Sequence, residues 1–304
     1  MRVHVQVPAS SANLGPGFDT LGLALALYNE VEVSESDGVT IAIQGEGADR
    51  LAGNERNIVA RGVRMAYEAA GRPFRGCALA CVNRIPLARG LGSSAAAWVG
   101  GLVAGNALLG APLDRVALLT LAARSEGHPD NVAAALLGGL TVACGGPAGA
   151  SAMSLPVPPE LHWVVLVPEV SSSTAEARAV LPASVPRADA VFNVQRVALL
   201  LASLQAGRVD LLPSAFEDRL HEPYRARLFP WMAAVTEAAR AAGALGCVLS
   251  GAGPSLLAVA AGDAEAAAVG RAMEHAMLRA GVGAVARKLA VDTRGAVSRV
   301  VDPD

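Results

Sequence analysis

A glycine-rich turn between a predicted strand and a predicted helix is the feature that most constrains how this chain can fold. The apolar run 77–85 is typical of a strand, which Pro86 ends because proline cannot donate to a sheet ladder. Gly90 and Gly92 follow, and glycine lets a chain turn sharply and approach a ligand closely. The small, apolar residues 93–109 predict a helix. The free main-chain N–H groups at such a helix start, together with the positive end of the helix dipole, favour phosphate binding.

This phosphate-binding segment differs from two common nucleotide motifs. It lacks the Gly-Lys-Ser/Thr of a Walker loop, and it lacks the third glycine and the later acidic residue of a dinucleotide-binding fold. Arg89 is its only cation, and Ser93 or Ser94 is expected to cap the helix. A magnesium ion is therefore expected to neutralise the phosphate charge, with Ser94 supplying an oxygen ligand.

Composition limits the class of protein. The length of 304 residues predicts two domains or one large one, and 53% hydrophobic residues allow a large core. A net charge of −2 and the lack of any basic run argue against a nucleic-acid partner. The apolar runs are broken by glycines and the N-terminus has no apolar signal segment, so we expect no membrane partner and a cytoplasmic protein. The four cysteines have no paired spacing and are expected to be buried free thiols.

Strands and helices mix along the chain in a pattern that predicts an α+β fold. A first strand is expected at 3–7, ended by Pro8, and a hairpin is expected to pair strands 28–34 and 39–43. The glycine-rich residues 145–150 predict a hinge. The hinge divides the chain into an N-terminal domain, 1–150, and a C-terminal domain, 151–304.

Three glycine-rich loops follow or adjoin predicted strands, at 9–17, 86–94 and 250–255. Each contains polar residues among its glycines. Three such loops together predict one shared pocket between the two halves of the chain.

The three loops resemble, in wording and order, the motifs of the GHMP kinases, a family of galactose, homoserine, mevalonate and phosphomevalonate kinases. The matching segments are 8–19, 86–96 and 251–255. The resemblance implies a two-domain α+β fold. Its N-terminal, ATP-binding domain is ribosomal protein S5 domain 2-like, and its C-terminal domain is a ferredoxin-like α/β sandwich.

Within this family, segments 11–19, 126–132, 174–178 and 221–225 resemble the members that act on homoserine. The resemblance implies ATP-dependent phosphorylation of the L-homoserine hydroxyl, a step of threonine biosynthesis. Two alternatives stay open. One is another small-molecule kinase of the family, acting on mevalonate or a sugar, and the other is a non-catalytic nucleotide-binding protein on the same scaffold.

The resemblance also implies roles for individual residues. ATP would be held by Asn57, beside the adenine, and by the segment Pro86, Leu87, Ala88, Arg89, Gly90, Leu91, Gly92, Ser93 and Ser94. Mg²⁺ would be held by Ser94 and Glu126. The amino-acid substrate would be held by Asn13, Asp19, His128, Asn131, Arg178, Arg225 and Gly253. The catalytic set would be Asn13, Ser94, Asn131 and Arg178.

These residue types suit a zwitterionic substrate. Asp19 can take the ammonium group, and the forks of Arg178 and Arg225 match a carboxylate. Direct in-line transfer is expected, because phosphoryl transfer depends mainly on positioning and charge neutralisation. Asn131 cannot accept a proton as a carboxylate can, and Asp130 is the nearest alternative base. The apolar composition predicts a homodimer.

Overall fold

The computed structural model describes residues 1–301, which form two β-sheets, each packed against helices. The strands are β1 (Arg2–Ala12), β2 (Leu21–Glu35), β3 (Gly38–Gly45), β4 (Gly76–Asn83), β5 (Leu140–Gly146), β6 (Gly149–Leu155), β7 (His162–Pro168), β8 (Gly246–Leu249), β9 (Leu256–Ala260), β10 (Ala284–Leu289) and β11 (Val297–Val301). The helices are α1 (Ile58–Ala69), α2 (Ser93–Leu108), α3 (Arg115–Glu126), α4 (Asp130–Leu137), α5 (Thr174–Ala179), α6 (Arg187–Ala206), α7 (Leu212–Ala215), α8 (Glu222–Arg225), α9 (Met232–Ala241) and α10 (Asp263–Arg279).

The first sheet has seven strands. Its main path is β11-β1-β2-β4-β3, and β5 pairs with both β2 and β6. Alternate valines of β1, namely Val3, Val5 and Val7, are fully buried, as the period of two predicts. Helices α1 and α2 pack together beside this sheet and belong with it to the larger core.

Two predictions for the first strands are wrong, the end of the first strand and the pairing of the next two. Strand β1 does not stop at Pro8, because its pairing with β2 shifts register between Pro8 and Ala9 and then continues. Strands β2 and β3 do not form a hairpin. Instead, β4 lies between them, antiparallel to β2 and parallel to β3. The connection from β3 through α1 to β4 is therefore a crossover, which a local turn signal at Gly38 cannot reveal.

Helix α2 begins without a side-chain cap, contrary to the predicted serine cap. Gly92 occupies the N-cap position with φ at +68°, and no side chain accepts from the first turn. The helix is otherwise buried, which suits its small residues. Its first N–H groups are consequently left for a ligand.

The chain after α3 also differs from the expectation. Helix α4 was not predicted because residues Asp130–Leu136 are all buried and carry no amphipathic period. The hinge expected at 145–150 is the closed end of the β5–β6 hairpin. Because β6 pairs within the first sheet, we propose that the domain boundary lies after Leu155. A further strand that was not predicted, β11, returns the chain to that sheet.

The second sheet has four antiparallel strands in the order β10-β7-β9-β8. Helices α9 and α10 pack together and share a second core with this sheet. Among the cysteines, Cys77, Cys81 and Cys247 are buried as expected, but Cys144 is exposed. Within residues 1–301, no helix is long and apolar enough to cross a membrane.

Candidate active site

A cleft of about 640 Å³ lies where the three glycine-rich loops meet. Asn13 Nδ2 donates to Gly251 O at 2.8 Å, which joins the first loop to the third. Ser250 Oγ donates to Gly90 O at 2.7 Å, which joins the third loop to the second. The prediction of one shared pocket is confirmed by this arrangement.

The second loop turns closely against the third. Gly90 has φ at +71°, and a Cβ there would overlap Ser250 O. A Cβ on Gly92 would overlap Ser10 Oγ. Because only glycine fits both positions, the loop can approach its neighbours closely. The first N–H groups of α2 then lie beside the cleft. This is the geometry that binds a phosphate at a helix start.

Arg89 has a different environment from the one expected of a phosphate ligand. Its Nε donates to Pro168 O at 2.7 Å and its Nη1 to Leu87 O at 3.0 Å. Its Nη2 donates to Glu169 O. The guanidinium therefore fixes the loop to the end of β7 through three of its five N–H groups.

We predict that Arg89→Lys and Arg89→Ala both raise KM for ATP roughly tenfold, because the three carbonyls are bonded by three different nitrogens of the guanidinium, an arrangement that the single nitrogen of a lysine cannot reproduce. Steady-state kinetics and thermal unfolding measure the change. Arg84→Lys is the matched control, since Arg84 is exposed and its side chain pairs with Glu30. A normal KM for ATP in Arg89→Lys would show that charge alone matters, as for a direct phosphate ligand.

Ser94 and Glu126 meet at the start of α2. Ser94 Oγ donates to Glu126 Oε2 at 2.8 Å. Burial raises the pKa of the Glu126 carboxyl, and the hydrogen bond from Ser94 works against that rise. These hard oxygen donors fit Mg²⁺, which uses one or two protein ligands together with phosphate oxygens. Within residues 1–301, no group of three or more His, Cys, Asp or Glu side chains could hold a metal alone.

Asp19 and Arg178 form a bidentate ion pair across the cleft. Arg178 Nη1 donates to Asp19 Oδ2 at 3.0 Å, and Nη2 donates to Oδ1 at 2.6 Å. About a third of each side chain is exposed, at 35% for Asp19 and 37% for Arg178. The two groups expected to hold opposite ends of a zwitterion thus neutralise each other here.

Arg225 is almost completely buried, with 1% of its surface exposed. Its Nε donates to Ala177 O at 3.1 Å, and its Nη1 donates to Gly251 O at 3.0 Å and to His221 Nδ1 at 3.1 Å. Burial lowers its pKa to about 10, with the charge of Arg178 as the next cause, so it remains charged at neutral pH. Within residues 1–301, Nη2 has no hydrogen-bond partner, and Arg225 lines the cleft.

Asn131 is oriented by a buried hydroxyl group. Ser10 Oγ donates to Asn131 Oδ1 at 2.9 Å, so the amide nitrogen is the end left for a ligand. Asp130 is 2% exposed, and its Oδ1 accepts from Asn131 N and contacts His128 Nδ1, both at 2.7 Å. Burial opposes the charged form of His128, but the hydrogen bond and charge of Asp130 outweigh it and raise the pKa.

A second, more apolar pocket of about 970 Å³ adjoins the cleft. The two share Ala88, Ser93 and Ser94 at the phosphate-binding segment. Asn57 lines this second pocket, but its amide caps α1: Oδ1 accepts from Val59 N at 2.9 Å and Nδ2 donates to Ala52 O at 2.8 Å. The second Nδ2 hydrogen and the second lone pair of Oδ1 are left for an adenine.

Every residue predicted for the site lines one of these two cavities. Lining the cleft are Asn13, Asp19, Pro86, Ala88, Arg89, Gly90, Leu91, Gly92, Ser93, Ser94, Glu126, His128, Asn131, Arg178, Arg225 and Gly253. Lining the second pocket are Asn57 and Leu87, with Ala88, Ser93 and Ser94 shared. Their individual roles remain predictions.

Sequence reasoning missed the polar residues that hold the loops. Those that bond the loops through their side chains are Ser10, Ser11, Ser250 and His221, and two further polar residues that were missed, Ser172 and Thr174, line the cleft. Ser11 Oγ lies 2.8 Å from Ser250 Oγ, and since the one hydroxyl proton of Ser250 is donated to Gly90 O, Ser250 accepts from Ser11. A serine next to a glycine is so common in turns that only the proximity of distant loops marks these residues.

Comparison with known proteins agrees with this geometry. The chain matches the family model for the GHMP kinases N terminal domain at residues 57–139 and the model for the GHMP kinases C terminal at 200–279. Homoserine kinase of Moorella thermoacetica is 47% identical over 96% of this chain and 98% of that protein. Homoserine kinase of Carboxydothermus hydrogenoformans is 46% identical over 98% of this chain and 97% of that protein.

Solved structures support the fold. The crystal structure of a homoserine kinase from Cytophaga hutchinsonii superposes with a TM-score of 0.90 at 32% identity, over 98% of this chain and 97% of that one. A mevalonate kinase from L. major has a TM-score of 0.67 at 15% identity, over 94% of this chain and 95% of that one, which shows a shared fold alone. The predicted two-domain fold is confirmed.

Proposed function

Because this chain belongs to the homoserine kinases of the GHMP kinase family, we propose that its cleft transfers the γ-phosphoryl group of ATP directly to the hydroxyl of L-homoserine. The product is O-phospho-L-homoserine, the precursor used in threonine biosynthesis. The mevalonate, sugar and non-catalytic alternatives are not favoured by the relatives.

The arrangement of charges in the cleft is the observation that carries this proposal. A carboxylate, Asp19, and two guanidinium groups, Arg178 and Arg225, lie beside the phosphate-binding segment. A zwitterion presents an ammonium and a carboxylate, and these can replace the Asp19–Arg178 pair without leaving either charge unpaired. Mevalonate has no ammonium group for Asp19, and a neutral sugar has neither charge.

The second pocket suits the nucleoside of ATP. It is mostly apolar, and it opens onto the start of α2, so a nucleotide lying in it can place its phosphates at the main-chain nitrogens of residues 90–94. Mg²⁺, held by Ser94 and Glu126, would neutralise charge on the phosphates. Ser94 and Glu126 would thereby hold in place the kind of positive charge that a lysine supplies in a Walker loop.

The residues of the cleft then hold the substrate and orient its hydroxyl group. Arg225 Nη2 and Arg178 hold the substrate carboxylate, and Asp19 holds the ammonium, so the hydroxyl faces the phosphate-binding segment. Asn131 Nδ2 donates to the reacting oxygens. The hydroxyl oxygen bonds to the γ-phosphorus as the bond to the β-phosphate oxygen breaks, and the hydroxyl proton passes to a phosphoryl oxygen. ADP leaves with the negative charge of the broken bond.

We predict that Asp130→Asn lowers kcat less than about tenfold, because no carboxylate base is needed for this transfer. Asp130 Oδ1 is already engaged by Asn131 N and His128 Nδ1, and an amide oxygen keeps the first of these contacts. Measurement of kcat at saturating ATP and homoserine tests this. A loss of a thousandfold or more with an unchanged KM would assign Asp130 as the base.

The substrate itself is tested by ADP release over a panel of alcohols. L-Homoserine is expected to be turned over at least a hundredfold more efficiently than mevalonate or galactose, since only it satisfies both charges. Equal turnover of mevalonate would contradict the proposal. The homodimer and the cytoplasmic location remain proposals based on composition, and sedimentation of the purified chain tests the first.

A further inference from the structure

His221 is a buried imidazole behind the cleft, immediately before α8. Its side chain is fully buried. Nε2 lies 2.8 Å from Gly15 O, and Nδ1 lies 3.1 Å from Arg225 Nη1. A carbonyl can only accept and a guanidinium can only donate. The contacts therefore select one form: a neutral ring that carries its proton on Nε2 and accepts the Arg225 hydrogen bond on Nδ1.

The ring of Phe18 joins this histidine to both guanidinium groups. His221 stacks on Phe18 with ring centroids 5.2 Å apart and an interplanar angle of 24°. The guanidinium carbons of Arg178 and Arg225 lie 5.5 Å and 5.3 Å from the Phe18 ring centroid. The negative face of an aromatic ring attracts cations, so Phe18 offsets the repulsion between two like charges held close together.

We propose that His221 and Phe18 are positioning residues that hold the Arg225 guanidinium in the orientation that receives the substrate carboxylate. The guanidinium donates from Nε and Nη1 to three acceptors, His221 Nδ1, Ala177 O and Gly251 O, and Nη2 is left for the ligand. This inference rests on the proposed function. It adds a reason for the chain to place an imidazole, and not an apolar side chain, in this buried site.

The charged groups around His221 predict how its state changes with pH. Asp218, in the turn before α8, lies 3.8 Å from Nε2 and favours a protonated ring, as does Asp19 across the cleft. Burial and the charge of Arg225 oppose protonation, and burial, the largest cause, lowers the pKa of His221. The acceptor on Nδ1 is therefore present at neutral pH and is lost only in acid, where a second donor would face Arg225.

The test compares His221→Phe with the wild-type enzyme. Phenylalanine keeps a ring on Phe18 but has no acceptor, so we expect KM for homoserine to rise roughly tenfold or more while KM for ATP changes less than about threefold. His221→Gln keeps an acceptor and is expected to recover part of the loss. His275→Gln, a change at an exposed histidine of α10, is the matched control.

A second substrate separates positioning from a merely structural role. The compound 3-amino-1-propanol is homoserine without its carboxylate, so it cannot use Arg225. We expect His221→Phe to lower kcat/KM for homoserine but not for this amine, and so to reduce the preference for homoserine roughly tenfold. An equal loss for both substrates, or no loss for either, would overturn the proposal.

The pH profile gives an independent readout. For the wild-type enzyme, KM for homoserine is expected to be constant near neutral pH and to rise only in acid, below the ordinary pKa of histidine, as the imidazole takes a proton. In His221→Phe this rise is expected to disappear. An identical rise in both proteins would assign it to another group and count against the inference.

Two further outcomes are distinguishable. If His221→Phe does not fold, as judged by circular dichroism, the preference ratio is measured for Phe18→Leu, which keeps apolar volume without the aromatic face. An unchanged ratio there overturns the inference. Failure of the wild-type enzyme to phosphorylate homoserine would refute the proposed function itself, whereas normal wild-type turnover with an unaffected His221→Phe would refute only the positioning role.

Discussion

Replacing Arg225 by alanine is expected to lower kcat/KM for homoserine by roughly a thousandfold, because removal of a buried charged partner costs about 3–5 kcal/mol. The guanidinium is buried beside the cleft, and its Nη2 is directed to no protein acceptor within residues 1–301. Without the guanidinium, the substrate carboxylate would still lose its hydrogen bonds to water on binding, but the remaining protein donors would replace only some of them. The effect is expected mainly in KM for homoserine, measured by ADP release, with KM for ATP changed less than about threefold.

The control and the conservative variant sharpen this prediction. Arg227→Ala removes an exposed arginine two positions further along and is expected to leave both KM values unchanged. Arg225→Lys keeps a charge but cannot bond Ala177 O, Gly251 O and His221 while also binding a carboxylate, so we expect it to lose roughly a hundredfold. Full activity of a folded Arg225→Ala protein would show that the carboxylate binds elsewhere.

Replacing Glu126 by glutamine is expected to lower kcat by roughly a hundredfold to a thousandfold at ordinary magnesium concentrations, since the ion would lose its one carboxylate ligand. Glutamine keeps the hydrogen bond from Ser94, so the start of α2 should be unchanged. The concentration of Mg²⁺ for half-maximal rate is expected to rise at least tenfold. Titration of the rate with MgCl₂ at fixed ATP measures it.

Two comparisons decide how the Glu126 result is understood. Glu160→Gln changes an exposed carboxylate in the turn before β7 and is expected to leave the magnesium dependence unaltered. Ser94→Ala removes the other proposed ligand and is expected to shift the same curve in the same direction. A Glu126→Gln enzyme with normal kcat and normal magnesium dependence would exclude this carboxylate from the metal site.

The three loops could be predicted from sequence because their constraints are local. Gly90 and Gly92 have positive φ, and Pro86 follows the end of β4 at Asn83, so the order of residues alone indicates a turn before a helix. Signals of this kind depend on neighbours along the chain.

The strand pairing and the side-chain roles that could not be predicted from sequence depend on residues that are distant along the chain. Gly38 indicates a turn, but only the insertion of β4 beside β2 decides that β3 is not its hairpin partner. Arg89 is isolated in its loop, yet it binds carbonyls at 168 and 169. His221 carries no local motif for its role, which comes from Gly15 and from one turn of α8. The separation of these partners hides their functions from sequence reasoning.

The measurement that tests the central claim most directly is a crystal structure with L-homoserine and a non-hydrolysable ATP analogue bound together. We predict the γ-phosphate against the main-chain nitrogens of residues 90–94, the homoserine carboxylate on Arg225 Nη2 and the hydroxyl aimed at the γ-phosphorus. The Asp19–Arg178 pair should be opened, with the ammonium on Asp19. Phosphates bound away from this segment, or homoserine bound outside the cleft with the ion pair intact, would contradict the account.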